Sequence, residues 1–156
     1  MTAGFGIIEV VVVLAVIVTV FVGLLQLAAL QSRVGSLARN EAKAYLLARE
    51  SIEATRFARD RGWVAFSDLA NNARYYPLVV ADSWTLSPSD PGAIDGFQRW
   101  VELSWALRDG EGNIAETGTA DLGTRKVVAS VEWTERSGDV RTITLETYLT
   151  DWQSFR

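Results

Sequence analysis

Between Phe5 and Leu30 the chain reads FGIIEVVVVLAVIVTVFVGLLQLAAL, and Glu9 is the single ionisable side chain in that run. A carboxylate inside an apolar helix costs on the order of 2.5 to 3.5 kcal/mol on membrane-insertion scales, so a residue of this type in this place calls for a partner. Snorkelling to a headgroup layer one turn away would offset part of the cost. A cation held beside Glu9 would offset more of it. The chemistry implied is charge pairing, not turnover.

Little else in the chain is equipped to react. There is no Cys and no His, which removes thiol nucleophiles, imidazole bases, disulfides and the two commonest transition-metal ligands. Asp and Glu remain as acid and base groups, but no paired arrangement of them is evident, so a membrane-anchored enzyme is disfavoured and no cofactor is expected. Gly110, Gly112 and Ala115 satisfy a GxGxxA pattern, yet the dinucleotide fingerprint needs a strand before it and a helix after it, and strands are expected on both sides here. Asp109, Glu111 and Asn113 imitate the first ligands of a calcium loop, but Ile114 stands where the glycine belongs and Ala120 where the bidentate glutamate belongs. Asp82, Asp90 and Asp95 stay as calcium alternatives. Trp84, Trp100 and Trp152 stay as an adhesive patch, with packing as the default for tryptophan.

The elements that would position Glu9 are read from periodicity. At 1.5 Å per residue, the stretch from Phe5 to Leu30 spans roughly 39 Å as a helix, enough to cross a hydrocarbon core of about 30 Å. A secretory signal would have a shorter apolar region, basic residues before it and a small-residue cleavage site after it. Nothing stops the helix at Leu30, because residues 31–61 hold no proline and a single glycine, Gly35. The pattern predicts one rod ending at Gly62. Val34, Ala38, Tyr45, Ala48 and Ile52 fall on one face, with Leu47, Ala54 and Ala58 roughly opposite. Two apolar sides imply either two partners, the domain's own sheet and a neighbouring subunit, or one core that sandwiches the helix. Arg49 with Glu53 and Arg56 with Asp60 are spaced as i,i+4 ion pairs.

Beyond Gly62 the period turns twofold, marking a sheet. Ser67 to Ala73 is expected to form a turn or short helix. A small hairpin should follow, with Leu78–Val80 and Ser83–Leu86 joined at Ala81 and Asp82. The segment SPSDPGAIDG breaks the pattern as a loop. A long strand from Phe97 to Leu107 ends in the turn DGEGN, and 126–134 with 140–150 form a second antiparallel pair. The 49% apolar composition is concentrated in the first thirty residues, and the remainder reads as an ordinary soluble domain whose six Trp, with four of the six Phe, would carry much of its stability. Net charge is −4, with the 15 Lys and Arg residues scattered, which disfavours nucleic acid as a partner.

A Gly followed by Phe, with Glu at the fifth position counting from that Phe and then an unbroken apolar helix, resembles the type IV prepilin signature. Here it is Gly4, Phe5 and Glu9. The resemblance implies that residues 1–4, MTAG, are a leader which a prepilin peptidase removes by cutting after Gly4. It implies N-methylation of Phe5, a membrane and assembly segment over 5–30, and an extracytoplasmic domain over 31–156 with its helical half at 31–61 and loop and sheet at 62–156. It further implies that Glu9 pairs with the freed amine of a neighbouring subunit, and that the partners are other pilin subunits, a membrane platform protein and an assembly ATPase. The phrases AIDGFQRWV, VVASVEW and LETYLTDW look like minor pilins of the PilV type. The implied fold is α+β, a lollipop in which a long N-terminal helix packs its second half on a C-terminal antiparallel sheet. The chain would sit in the cytoplasmic membrane before assembly and in an extracellular filament after it. MTAG carries no Lys or Arg, unlike most such leaders, and Gly23 and Gln26 lie where many pilins have a proline. Arg33, Arg39 and Lys43 by the positive-inside rule favour the opposite orientation to the one that the signature implies. A single-pass membrane protein displaying an unpolymerised binding domain is the alternative reading.

Overall fold

The computed structural model describes residues 6–152. It divides into two compact units, residues 1–40 and 41–156. Helix α1 runs unbroken through Ile7–Arg61, as expected from the absence of proline. The first unit consists of the N-terminal part of that helix. The second holds the rest of α1, a short helix α2 (Trp63–Ser67) and the strands β1 (Ala73–Val80), β2 (Ser83–Ser87), β3 (Phe97–Arg108), β4 (Ile114–Ala115), β5 (Thr119–Thr134) and β6 (Val140–Thr150). The strands form one antiparallel sheet of order β2-β1-β3-β5-β6, with β4 paired to the end of β3. The fold class is therefore α+β, a long N-terminal apolar helix followed by an antiparallel sheet.

In the second unit α1 lies on one face of the sheet. Ala44 and Ala48 pack with Phe97, Val131 and Trp133, and Ile52 packs with Phe66, Tyr75, Val101, Leu103, Val127, Ala129 and Leu149. The helix offers this core one stripe and not two opposed faces. Ala44, Ala48, Ser51, Ile52, Ala54 and Thr55 are buried, and Leu47 and Ala58 are half-buried against the same clusters. At 100° per residue these positions fall within about 80° either side of a line through Ala44, Ser51 and Thr55. The two sequence-level faces were its flanks, and Tyr45, assigned to one of them, is 46% exposed. Hydroxyls mark the centre of the stripe, but Ser51 Oγ donates to the Leu47 carbonyl and Thr55 Oγ1 to the Ser51 carbonyl, each at 2.8 Å. Satisfied in this way, both side chains pack as small groups and let the helix axis come close to the sheet.

The helix stops at Gly62, as read, but that glycine has φ 162°, an extended conformation, so the left-handed cap implied by the residue type is not formed. The surface ion pairs also differ. Arg56 bonds Glu53 at 2.7 Å instead of Asp60, and Asp60 accepts from Arg59 at 2.8 Å. The β1–β2 hairpin turns at Ala81 and Asp82, whose φ values of 49° and 58° supply the two left-handed residues of a tight turn. Pro77 is tolerated inside β1 because β1 pairs β3 only through Ala73–Tyr75, leaving its missing N–H without a ladder to break.

Strand β5 begins at Thr119, seven residues earlier than the sequence pattern suggests. Its pairing with β3 slips between Trp105 and Ala106, where Arg125 and Asp121 are the respective partners. Leu122, Gly123 and Thr124 form the resulting bulge, and their irregular spacing hides the strand. At Gly118 the backbone has φ 147°, and a Cβ there would run into the Arg108 carbonyl oxygen. Gly118→Ala is expected to destabilise the chain by about 1–3 kcal/mol, read as a lowered urea midpoint in detergent, whereas Gly110→Ala, where a Cβ meets open space, should leave the midpoint nearly unchanged.

Candidate assembly segment

The N-terminal part of α1 is apolar all round. From Ile7 to Leu30 every described side chain is exposed, with Phe21, Leu24, Leu25, Leu27 and Leu30 each near 60%. Among the described residues α1 is the one helix long and apolar enough to cross a membrane. Its composition explains why a helix forms without tertiary support: in an apolar surrounding the backbone has no water to bond, and intrahelical bonds satisfy every N–H and C=O beyond the ends. The few polar groups within the run are handled locally or left outward. Thr19 Oγ1 donates to the Ala15 carbonyl at 2.8 Å, which removes the cost of a free hydroxyl in hydrocarbon.

Glu9 lies in the first turn of α1, where its N–H donates to the Gly6 carbonyl at 3.0 Å. The position is electrostatically apt, because the first turn carries the positive end of the helix dipole. No hydrogen bond or ion pair to its carboxylate is formed among the described residues. Gly4 and Phe5, the expected cleavage and methylation positions, lie outside the described residues.

Two of the three calcium alternatives are tied to separate neighbours and the third lies apart in a turn. Asp90 caps the Gly92 N–H at 2.7 Å and accepts from Gln98, Asp95 pairs with Lys43 at 3.2 Å, and Asp82 sits in the β1–β2 turn. No group of three or more Asp and Glu gathers among the described residues. Asp109 caps the N–H groups of Glu111 and Asn113, and those bonds, Asn113's first, hold its carboxyl below the usual range. The DGEGN segment is thus a self-capped turn. The tryptophans likewise have individual roles. Trp100 is buried under the Arg74 guanidinium, 4.5 Å away, Trp84 lies beside Arg99, and Trp152 donates to Asp60 at 3.2 Å.

Two features were not anticipated from the sequence. Arg125 is fully buried on the helix-facing side of β5, stacked 4.3 Å from the Trp105 ring with Nη2 donating to the Leu69 carbonyl at 2.9 Å. Burial pushes its pKa down. The twofold period running back from Trp133 through Val131, Ala129 and Val127 does place position 125 on that face. On the opposite side of the sheet Ser104, Lys126 and Tyr148 stand side by side in register. With Asn71, Asn72 and Glu116 they line an open cleft of about 350 Å³. Lys126 bonds Glu146 at 2.9 Å and lies 3.7 Å from Glu116.

No protein-family model, no curated protein and no solved structure matches the chain. The functional reading therefore rests on the residues themselves.

The charge pairs of the sheet fix a pH response. Arg108 holds Asp121 below the usual carboxylate range and Lys126 does the same to Glu146, so their contribution is present above the unfolded carboxyl pKa of about 4 and is lost as pH falls through the depressed folded values. Glu146 in turn raises Lys126 and Tyr148. That contribution is complete below about pH 10 and disappears as pH rises through their raised values. Thermal unfolding midpoints are expected to be flat between about pH 5 and 9 and to fall on both sides, and Glu146→Gln should make both falls shallower.

Proposed function

We propose that the chain is a type IV pilin-like subunit, a structural and non-enzymatic protein that is held in a membrane by the first half of α1 and polymerised through it. The observation that carries this reading is an exposed apolar helical segment with one carboxylate in its first turn, continuous in a single helix with the part that packs on the sheet. In this reading a prepilin peptidase cuts after Gly4, and the new amino group of Phe5 is methylated. Membrane platform and ATPase partners then move the subunit from the cytoplasmic membrane into an extracellular filament, where it contacts other pilin subunits.

The physical role of Glu9 follows from what apolar packing cannot do. Moving the segment from lipid to a bundle of like helices exchanges one apolar neighbour for another, so the hydrophobic effect gives little preference for one register over the next. A charge pair differs sharply between registers, because an unpartnered carboxylate in low dielectric is costly and a hydrogen-bonded one is not. The terminal ammonium of one subunit meeting Glu9 of its neighbour would select one axial offset from many that are nearly equal. Residue 9 is close enough to the cleaved end at Phe5 for this to occur between neighbours displaced by about one helical turn.

Intact-mass and N-terminal peptide spectrometry of the chain recovered from its own cell envelope tests the processing steps. The expected mature chain begins FGIIEV and carries one added methyl group. A chain that keeps Met1 would instead fit a membrane-anchored domain that is not polymerised.

A further inference from the structure

Among the described residues the sheet ends on two strands with no neighbour beyond them, β2 and β6. Natural edge strands discourage pairing with charges, proline, bulges or shortness. Strand β6 is 11 residues long, contains no proline, and keeps unbroken register with β5 over its whole length. Its central run Thr142, Ile143, Thr144 and Leu145 has no charge. Strand β2, Ser83–Ser87, is shorter but equally uncharged. Among the described residues no strand or bridge covers the outer edge of either.

The core is also left open at β6. Val131 and Ala129 are 0% exposed, whereas Ile143 and Leu145, their cross-strand neighbours on β6, are only half-buried. At the other edge Leu86 packs on the same core from β2, and Trp84, on the same face of that strand, lies beside Arg99, which bonds Glu50 of α1 at 3.0 Å. Both edges thus present an apolar residue pair on the helix-facing side and Thr or Ser on the other.

Direction decides how two copies can meet. Every step along β2-β1-β3-β5-β6 is antiparallel, so β2 and β6 run the same way. Pairing β6 with β6 of another copy in antiparallel fashion would need a two-fold axis normal to the sheet, which reverses every direction in its plane. Helix α1 is among those directions, since it passes over Phe97 and Trp133 at Ala44 and Ala48, and over Val101 and Val127 at Ile52. If Glu9 of one subunit meets the terminal amine of its neighbour, the N-termini lie together and the helices run the same way, and copies so oriented that meet through their sheet edges set β6 of one alongside β2 of the next.

We propose that the β6 edge binds the β2 edge of a second copy as a parallel, head-to-tail strand pair, with 142–146 opposite 83–87. In this register Ile143 meets Trp84, Leu145 meets Leu86 and Thr144 meets Thr85, so the helix-facing apolar row continues from one copy into the next. No like charges are opposed, since the single charged residue in the pairing, Glu146, faces Ser87. A contact of this kind is heterologous, and it repeats along an open array when the rotation between copies does not close into a ring. The proposal rests on the assembly reading above, which supplies the shared direction.

The absence of native Cys makes disulfide trapping direct. Full-length chains carrying Thr144→Cys and Thr85→Cys, with distinguishable tags, are co-expressed in the native host and oxidised in place, and polymer is measured separately in the sheared extracellular fraction. Neighbouring strands lie about 4.8 Å apart, inside the Cα range for a disulfide. The expected result is a linked dimer that contains both tags and forms only when both substitutions are present. A dimer from Thr144→Cys alone would mean β6–β6 pairing and would overturn the proposal. Equal linkage of Thr85→Cys to Glu132→Cys, which lies on β5 away from the edge, would show unspecific collision and overturn it as well. Polymer without linkage would reject the edge contact and leave the subunit reading standing, whereas the loss of both would count against both.

Discussion

One carboxylate on an otherwise apolar helix is the constraint to which everything else answers. Glu9 is outward-facing in α1 and finds no partner among the described residues, and in the proposed account its compensation comes from a headgroup layer or from another protein. From Gly6 to Val18 the side chains around it offer no alternative, being Gly, Ile, Val, Leu and Ala. A cation delivered by a neighbouring subunit would satisfy the carboxylate and, because the pair is so much stronger than the apolar contacts around it, would also set where that neighbour sits. Assembly in this account is therefore specified by a single polar contact and stabilised by many unspecific apolar ones.

The second half of the same helix solves a different problem. There the stripe is built from small residues, Ala44, Ala48, Ser51, Ala54 and Thr55, and the two hydroxyls are returned to the helix's own carbonyls. Bulk is supplied from the sheet side instead, by Phe97, Trp133, Val101, Leu103 and Val127. This division lets a chain without disulfides hold helix to sheet by close packing over a long contact, with Arg125 stacked on Trp105 filling one end of the core. A buried guanidinium of that kind adds little net strength, since its charge is taken out of water with one carbonyl bond and the Trp105 ring in return and its Nε has no hydrogen-bond partner.

Much of this was legible in the residues because the signals were local. The length of α1 followed from the lack of proline, the β1–β2 hairpin from Ala81 and Asp82 between two apolar runs, and β6 from clean alternation. What escaped had a non-local cause. The helix stripe was misdivided because Ser51 and Thr55 count as polar until their hydroxyls are known to be satisfied. The start of β5 is hidden by a bulge that only the pairing with β3 reveals, and within the loop segment Ile94 and Phe97 bridge across Asp95 and Gly96, an Asp-Gly pair that signals a tight turn. Arg125 is hidden in the pattern because its charge masks the twofold period that puts it on the core face. At the candidate site the type of Glu9 is enough to single it out, but a partner for it is not legible in the chain's pattern.

The most direct measurement is the effect of removing the Glu9 charge on polymer yield at constant membrane content. Glu9→Ala and Glu9→Gln chains would be expressed in the native host, quantified in the membrane fraction, and compared with the parent for sheared extracellular polymer. Both substitutions make the helix more apolar, so membrane levels should hold or rise, while polymer should fall by about tenfold or more because the neighbour's ammonium is left unpaired. Polymer recovered at the parental level from either chain would contradict the account.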